Sequence, residues 1–306
     1  MRTSRSGRQV PRRGLVRETC KRPYPPCSPG SGCNPHTFDG IAPQLIDKFR
    51  VVSYARRGDG RSEDKGPYDV DTMVEDLRQL LDSLGISKVH LAGWSLGGHE
   101  LTRFAGLYPE RVGKLVYLDA GYDWSNPGCV TVMDHRPPVQ WPPSPADLQS
   151  FGAYRKWFTE RSIRAGAPWS ATVEAYARGY LVEDPNGRLR FVNPGSDGNA
   201  KRTADQAPYR RDYRAVKAQA LAIYVPYFLP INVGDAAEQD AARRWTNDWW
   251  QPWQRVQRAK FESEMRNAQV RMLEGGNHMI FLFTHEHEVV SLMRDFLLGE
   301  NKSVGK

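Results

Sequence analysis

Gly93-Trp94-Ser95-Leu96-Gly97 decides how this chain is read. The five residues lie between an apolar, strand-like run, Lys88-Val89-His90-Leu91-Ala92, and an amphipathic stretch from Gly98 to Tyr108. That stretch carries Leu101, Phe104, Ala105 and Leu107 before stopping at Pro109. A serine at the crest of so tight a strand-to-helix turn takes a strained backbone conformation, and β-carbons two positions to either side would crowd it, so glycine at 93 and 97 has a mechanical reason. Gly98 extends the small-residue face and lets the helix lie close to the sheet. In this setting G-x-S-x-G reads as a nucleophile elbow.

Outward from the elbow, apolar strands alternate with amphipathic helices, the pattern of a mostly parallel sheet covered on both faces. Phe49 to Tyr54 is predicted as a strand, followed by the turn-rich Gly58-Asp59-Gly60. Asp69 or Asp71 then caps a helix running to about Leu84, with Val74, Leu77, Leu80, Leu81 and Leu84 on its buried stripe and Gly85 ending it. Lys114 to Asp119 is a further strand. From about Gly121 Pro and Trp become frequent, and Ala146 to Thr159 and Ser170 to Tyr180 read as short helices of an inserted lid. Ala220 to Val225 restores the core, a long helical stretch follows from about Ala236 to Asn267, Val270 to Glu274 is the last strand, and Glu286 to Leu298 the closing helix.

Composition narrows the function classes. The 306 residues, 40% of them hydrophobic, can bury a large core, and no apolar run approaches membrane-spanning length. The net charge of +8 is concentrated at one end: residues 1–22 carry eight Arg or Lys against Glu18, leaving +1 for the remainder. A nearly neutral body argues against a nucleic-acid face. The basic tail reads as solvated and disordered, and it lacks the apolar stretch of a secretory signal, so the cytoplasm is the default expectation. Cys20, Cys27, Cys33 and Cys129 match neither a zinc site nor a redox pair. His285 and His287 stand two apart, which on a helix points them to different sides, and there is no H-E-x-x-H. Gly30-Ser31-Gly32 lacks the strand and spacing of a dinucleotide fingerprint. No metal and no cofactor is expected.

At this point the chain resembles the α/β-hydrolase family. The resemblance rests on Tyr54-Ala55-Arg56-Arg57-Gly58-Asp59-Gly60-Arg61-Ser62, Gly93 to Gly98, Tyr108-Pro109-Glu110-Arg111-Val112 and Gly275-Gly276-Asn277-His278, and it extends from about Gly30 to Leu298. Ala55 departs from it where such sequences usually show Asp, a mainly structural position. The implied organisation is a core of residues 29–123 and 216–300, a lid or cap at 124–215, and a tail at 1–28.

A serine hydroxyl needs a neighbouring base to take its proton as it attacks. The resemblance puts the catalytic imidazole in the Gly-rich loop after the last strand, which makes His278 the base for Ser95. A carboxylate must then orient the imidazole. The family most often places it beyond the penultimate strand, where Tyr224 to Leu229 offers none and Asp235 comes only later; some haloalkane dehalogenases place it after the strand that follows the elbow helix, where Asp119 stands. Asp119 is favoured, with Asp235 and Asp123 as alternatives.

For the oxyanion hole, Leu96 supplies one backbone N–H, and counting back from Phe38 in the related pattern makes Ser31 the second donor. The run Lys21 to Ser28 holds three prolines where a buried strand is expected, so the first strands read as missing or replaced. The change of pattern near Gly30 suggests a shifted reading frame or an altered gene start for residues 1 to about 28. A serine at the elbow favours acyl transfer over cleavage of carbon–halogen bonds or epoxides, which uses a carboxylate there. The expected activity is hydrolysis of a carboxylic ester or related acyl substrate through an acyl-enzyme. Trp124, Trp141, Trp157, Phe158, Trp169, Tyr176 and Tyr180 suggest an apolar or aromatic small-molecule substrate, whereas Trp245, Trp249, Trp250 and Trp253 read as packing. The alternative is a non-catalytic ligand-binding protein on the same scaffold; oligomeric state is not legible.

Overall fold

The computed structural model describes residues 26–28, 34–138, 143–192, 201 and 204–299. A strand of three residues comes first, β1 (Pro26–Ser28), followed by β2 (Val52–Ser53), helix α1 (Val70–Ser83), β3 (Val89–Trp94), α2 (Gly97–Leu107) and β4 (Val112–Leu118). Between β4 and the next sheet strand lie α3 (Pro127–Asp134), α4 (Phe151–Glu160), α5 (Ala171–Arg178) and an antiparallel hairpin of β5 (Leu181–Glu183) and β6 (Leu189–Phe191). The sheet resumes with β7 (Gln219–Tyr224), then α6 (Ala236–Trp245), α7 (Gln251–Glu264), β8 (Ala268–Met272), α8 (Phe281–Thr284) and α9 (Glu286–Leu298). The main sheet runs β2-β1-β3-β4-β7-β8, parallel throughout.

This is the parallel, helix-covered sheet that the alternating pattern predicts. The central strands read as continuous apolar runs because both faces are covered. On one face Leu77 and Leu81 of α1, Leu101 and Phe104 of α2 and Phe261 of α7 join Leu115 and Tyr117 of β4 in one core cluster. On the other, Val289, Met293 and Phe296 of α9 meet Phe38, Ala92, Val116 and Ile223. Asp69, rather than Asp71, caps α1: its side chain accepts from the Thr72 N–H.

Two readings are corrected. The strand that the prolines argued against exists in short form: β1 pairs with both β2 and β3, Cys27 lying opposite Ser53 and Ala92. Only Pro26 of the three falls within it, at the first position, where a missing N–H is tolerated. Residues 1–25 and 29–33, including Ser31, lie outside the described residues. The long helix after Ala236 is not continuous either. Thr246–Trp250 winds as a π-turn between α6 and α7, with Pro252 in the first turn of α7. Proline has no N–H for an i→i−4 bond and its ring collides with that carbonyl, so the wider turn falls where the regular ladder could not continue.

The turn glycines behave as steric arguments require. A β-carbon on Gly93 would stand 2.6 Å from Leu101 Cδ1 and 3.0 Å from the Gly97 backbone; on Gly98 it would collide with the Ala120 carbonyl and lie 2.8 Å from Arg211 Nη1. Gly98→Ala should therefore destabilise the fold by about 1–3 kcal/mol, read as a lower urea midpoint with unchanged slope.

Candidate active site

Ser95 follows directly on β3 and Asp119 directly on β4, and each leaves its strand with a left-handed backbone, φ 54° and 45°. Among the described residues these are the two non-glycine positions with positive φ. Such conformations persist only where the surroundings over-determine them. Here the ladder does so: the Ser95 N–H donates to Leu118 O at 3.2 Å, and the Asp119 N–H to Ile223 O at 2.6 Å. Each residue is thus pinned to the neighbouring strand at the point where its own strand ends.

His278 comes from the loop after β8, held by its N–H to Tyr227 O at 2.8 Å. Its Nε2 lies 2.9 Å from Ser95 Oγ and its Nδ1 2.6 Å from Asp119 Oδ2. Both His278 and Asp119 are buried, at 2% and 0% exposure, so little water competes for these bonds. The imidazole is also fixed in plane: Phe228 stacks on it at 4.7 Å between centroids and 17° between planes, with Trp94 tilted at 5.6 Å. Ser95, His278 and Asp119 therefore form one hydrogen-bonded line.

The two alternative carboxylates are elsewhere. Asp235 is exposed and caps α6 in a capping box with Glu238. Asp123 accepts from Lys260 Nζ at 2.6 Å and Ser125 Oγ at 2.6 Å; burial opposes its ionisation, but these bonds outweigh burial and hold its pKa below the usual value. Leu96, the N-cap of α2, places its N–H in the first turn, where amides lack intrahelical acceptors and the helix dipole is positive.

Three groups around the acid are absent from the sequence reading. Asp119 Oδ1 accepts from the Tyr122 hydroxyl and from the Val225 N–H at 3.3 Å. Gln254 Nε2 sits 2.7 Å from the Tyr122 hydroxyl and 2.7 Å from Val225 O. A buried carboxylate must find donors for the oxygen that does not face the histidine, which is the one signal that could have pointed to Tyr122 three residues on. Gln254 lies 132 residues from Tyr122, and no local pattern connects them.

The aromatic residues between β4 and β7 chiefly pack on one another. Trp157, Phe158 and Tyr176 are buried in a cluster with Leu181 and Leu189, against which Trp169 and Tyr180 pack; Trp124 joins the main core, and Trp141 is outside the described residues. Trp245, Trp250 and Trp253 are core, as their spacing suggests. Among the described residues no group of three His, Cys, Asp or Glu could hold a metal ion, and no helix is long and apolar enough to cross a membrane.

His99, one turn beyond Ser95 on α2, is fully enclosed. Burial, then the charges of Arg211 and Arg56, push its pKa well below the ordinary value. The unfolded chain therefore takes up a proton near its usual pKa of about 6.5 that the folded chain refuses, so stability is full above that pH and lost as pH falls. In His99→Leu, the fall in unfolding free energy between about pH 6 and 5, measured by urea titration, should be shallower by about 1 kcal/mol per pH unit.

Comparison with known proteins places this geometry in context. A sequence model described as the alpha/beta hydrolase family matches residues 27–292. Over 92 residues the chain is 40% identical to "Putative carbamate hydrolase RutD" of Caulobacter segnis, covering 28% of this chain and 33% of that protein. Over 51 residues it is 56% identical to a 2-hydroxy-6-oxononadienedioate/2-hydroxy-6-oxononatrienedioate hydrolase of Paraburkholderia phymatum, 17% of this chain and 18% of that one. The chain thus matches a third or less of the length of these relatives. Among solved structures, E-2-(acetamidomethylene)succinate hydrolase superposes with a TM-score of 0.67 at 18% identity, over 92% of this chain and 94% of that one. The enol-lactonase of Burkholderia xenovorans LB400 gives 0.56 at 16%, over 93% and 96%. At these identities the likeness is one of fold.

Proposed function

The chain belongs to the alpha/beta hydrolase family, and from that premise we propose that it hydrolyses a carboxylic ester or a related acyl substrate, with Ser95 as nucleophile, His278 as general base and Asp119 as the orienting acid. The observation that carries the proposal is the unbroken line from Ser95 Oγ through both ring nitrogens of His278 to Asp119 Oδ2. An imidazole with Nδ1–H committed to a carboxylate presents a lone pair at Nε2, 2.9 Å from the hydroxyl it is to deprotonate.

In the proposed reaction Ser95 Oγ attacks the substrate carbonyl while its proton passes to His278 Nε2. Asp119 stabilises the resulting imidazolium. The negative charge that develops on the carbonyl oxygen meets the Leu96 N–H at the start of α2, with Ser31 as the second donor by family resemblance. Collapse of the tetrahedral intermediate returns the proton from Nε2 to the departing alcohol and leaves an acyl-enzyme. Water then enters by the same route, deprotonated by His278, and releases the acid. Phe228 and Trp94 are buried against the imidazole and hold its plane; the acyl or alcohol group proposed for the substrate is apolar or aromatic, in keeping with the aromatic content of the chain.

The non-catalytic alternative drew on the unrecognisable strand ahead of Gly30, and β1 occupies that place. A fluorophosphonate probe separates the two readings: the expected result is labelling that Ser95→Ala abolishes, and a folded, unlabelled native chain would sink the hydrolase. With a substrate from a panel of esters of graded chain length, Asp119→Asn should lower kcat by about 10³–10⁴-fold. Asp235→Asn, which touches only a helix cap, should stay within about twofold, and full activity in Asp119→Asn would remove Asp119 from the triad.

A further inference from the structure

We infer that Tyr122 and Gln254 form a positioning device for the proposed triad: Gln254 fixes the direction of the Tyr122 hydroxyl, and that hydroxyl donates to Asp119 and sets how strongly the acid holds a proton on His278. This rests on the hydrolase reading above and extends it to how the base is tuned.

The direction follows by elimination. Val225 O is a carbonyl oxygen and can only accept, so the Gln254 atom 2.7 Å from it is the amide nitrogen. The same nitrogen lies 2.7 Å from the Tyr122 oxygen, and its second hydrogen points there. The phenolic oxygen is then an acceptor toward Gln254, which leaves its own hydrogen for the remaining partner, Asp119 Oδ1. The Val225 N–H donates to the same oxygen, closing a ring in which the two polar groups of one peptide residue anchor both ends. Asp119 Oδ1 is saturated by two donors and Oδ2 is left to the imidazole.

Other charged and titratable groups nearby are engaged on other acceptors. Tyr224 donates to Gly121 O at 3.2 Å, Arg211 Nη1 donates to Ala120 O, and Lys260 pairs with Asp123. Burial, and then the charge of Asp119, raise the Tyr122 pKa well above that of a free phenol, which keeps the hydroxyl a donor at any pH at which the base works.

Each donor to Asp119 spreads its negative charge and weakens its grip on the imidazolium. Removing the Tyr122 hydroxyl concentrates that charge on the carboxylate, so His278 should titrate higher and its neutral, proton-accepting form become scarcer at a given pH. The test is NMR titration of the His278 ring in the resting protein, alongside kcat and KM on an ester. In Tyr122→Phe the His278 ring titration and the acid limb of the kcat profile should both move about one pH unit upward, so that kcat falls by up to about tenfold on that limb and recovers above it, with KM within about twofold. In Gln254→Met, close in volume, the shift should have the same sign and be smaller, because an unguided hydroxyl still reaches Asp119 part of the time. The double variant should be no worse than Tyr122→Phe, since Gln254 acts through the hydroxyl.

An unmoved His278 titration in Tyr122→Phe, even with a lower Tm, overturns the inference by reducing Tyr122 to packing. Additive losses in the double variant overturn the role given to Gln254. A native chain that no fluorophosphonate labels sinks the hydrolase reading instead, and the titration of the unliganded protein still decides the network independently.

Discussion

The arrangement depends on three parallel strands, β3, β4 and β7, ending in step. Where β3 stops, Ser95 still donates to Leu118 O of β4; where β4 stops, Asp119 still donates to Ile223 O of β7; and Val225, just past β7, donates back to Asp119 Oδ1. The sheet ladder is thus carried beyond the pleated strands, and the bonds that extend it hold two residues in conformations they would otherwise leave. Left-handed backbone is unfavourable for a side chain other than glycine's by roughly 1–2 kcal/mol, so only a network that removes the alternatives can maintain it. Strand alignment is fixed by burial on both faces of the sheet, which makes the packing of Leu115, Tyr117 and Ile223 part of the positioning of Ser95 and Asp119.

Much of this was legible in the sequence because it is local. The elbow announces itself in five residues, and the apolar runs of β3, β4 and β7 are continuous because both faces are covered. His278 was reached through a Gly-rich loop at the end of the last strand, and Asp119 through its place after the strand beyond the elbow helix. The family resemblance supplied both inferences; spacing alone would have left several carboxylates open.

What escaped the reading is what long-range packing creates. β1 holds three residues among prolines, and its partners are strands 26 and 65 residues further on, so no periodicity marks it. The partners of Asp119 Oδ1 come from the following loop and from the residue just past β7, and Gln254, which bonds both of those residues, comes from the first turn of α7; the three share no motif. The aromatic content between β4 and β7 pointed toward a substrate pocket, yet Trp157, Phe158 and Tyr176 are mutually buried. A segment of short helices and a hairpin of three-residue strands needs large rings to build a core of its own, and composition cannot separate that need from ligand binding.

The π-turn at Thr246–Trp250 has a consequence for Gln254. A π-turn takes up about one residue more than a regular turn, and each residue of an α-helix advances the side-chain direction by about 100°. The turn therefore sets the rotational phase of everything on α7, and Gln254 stands only four positions beyond it. Relaxed to regular winding, with the downstream axis unmoved, the helix would carry the amide about a quarter-revolution away from the carbonyl that orients it. A backbone irregularity made tolerable by one proline thus acts as the angular setting for a side chain at the far end of a chain of hydrogen bonds.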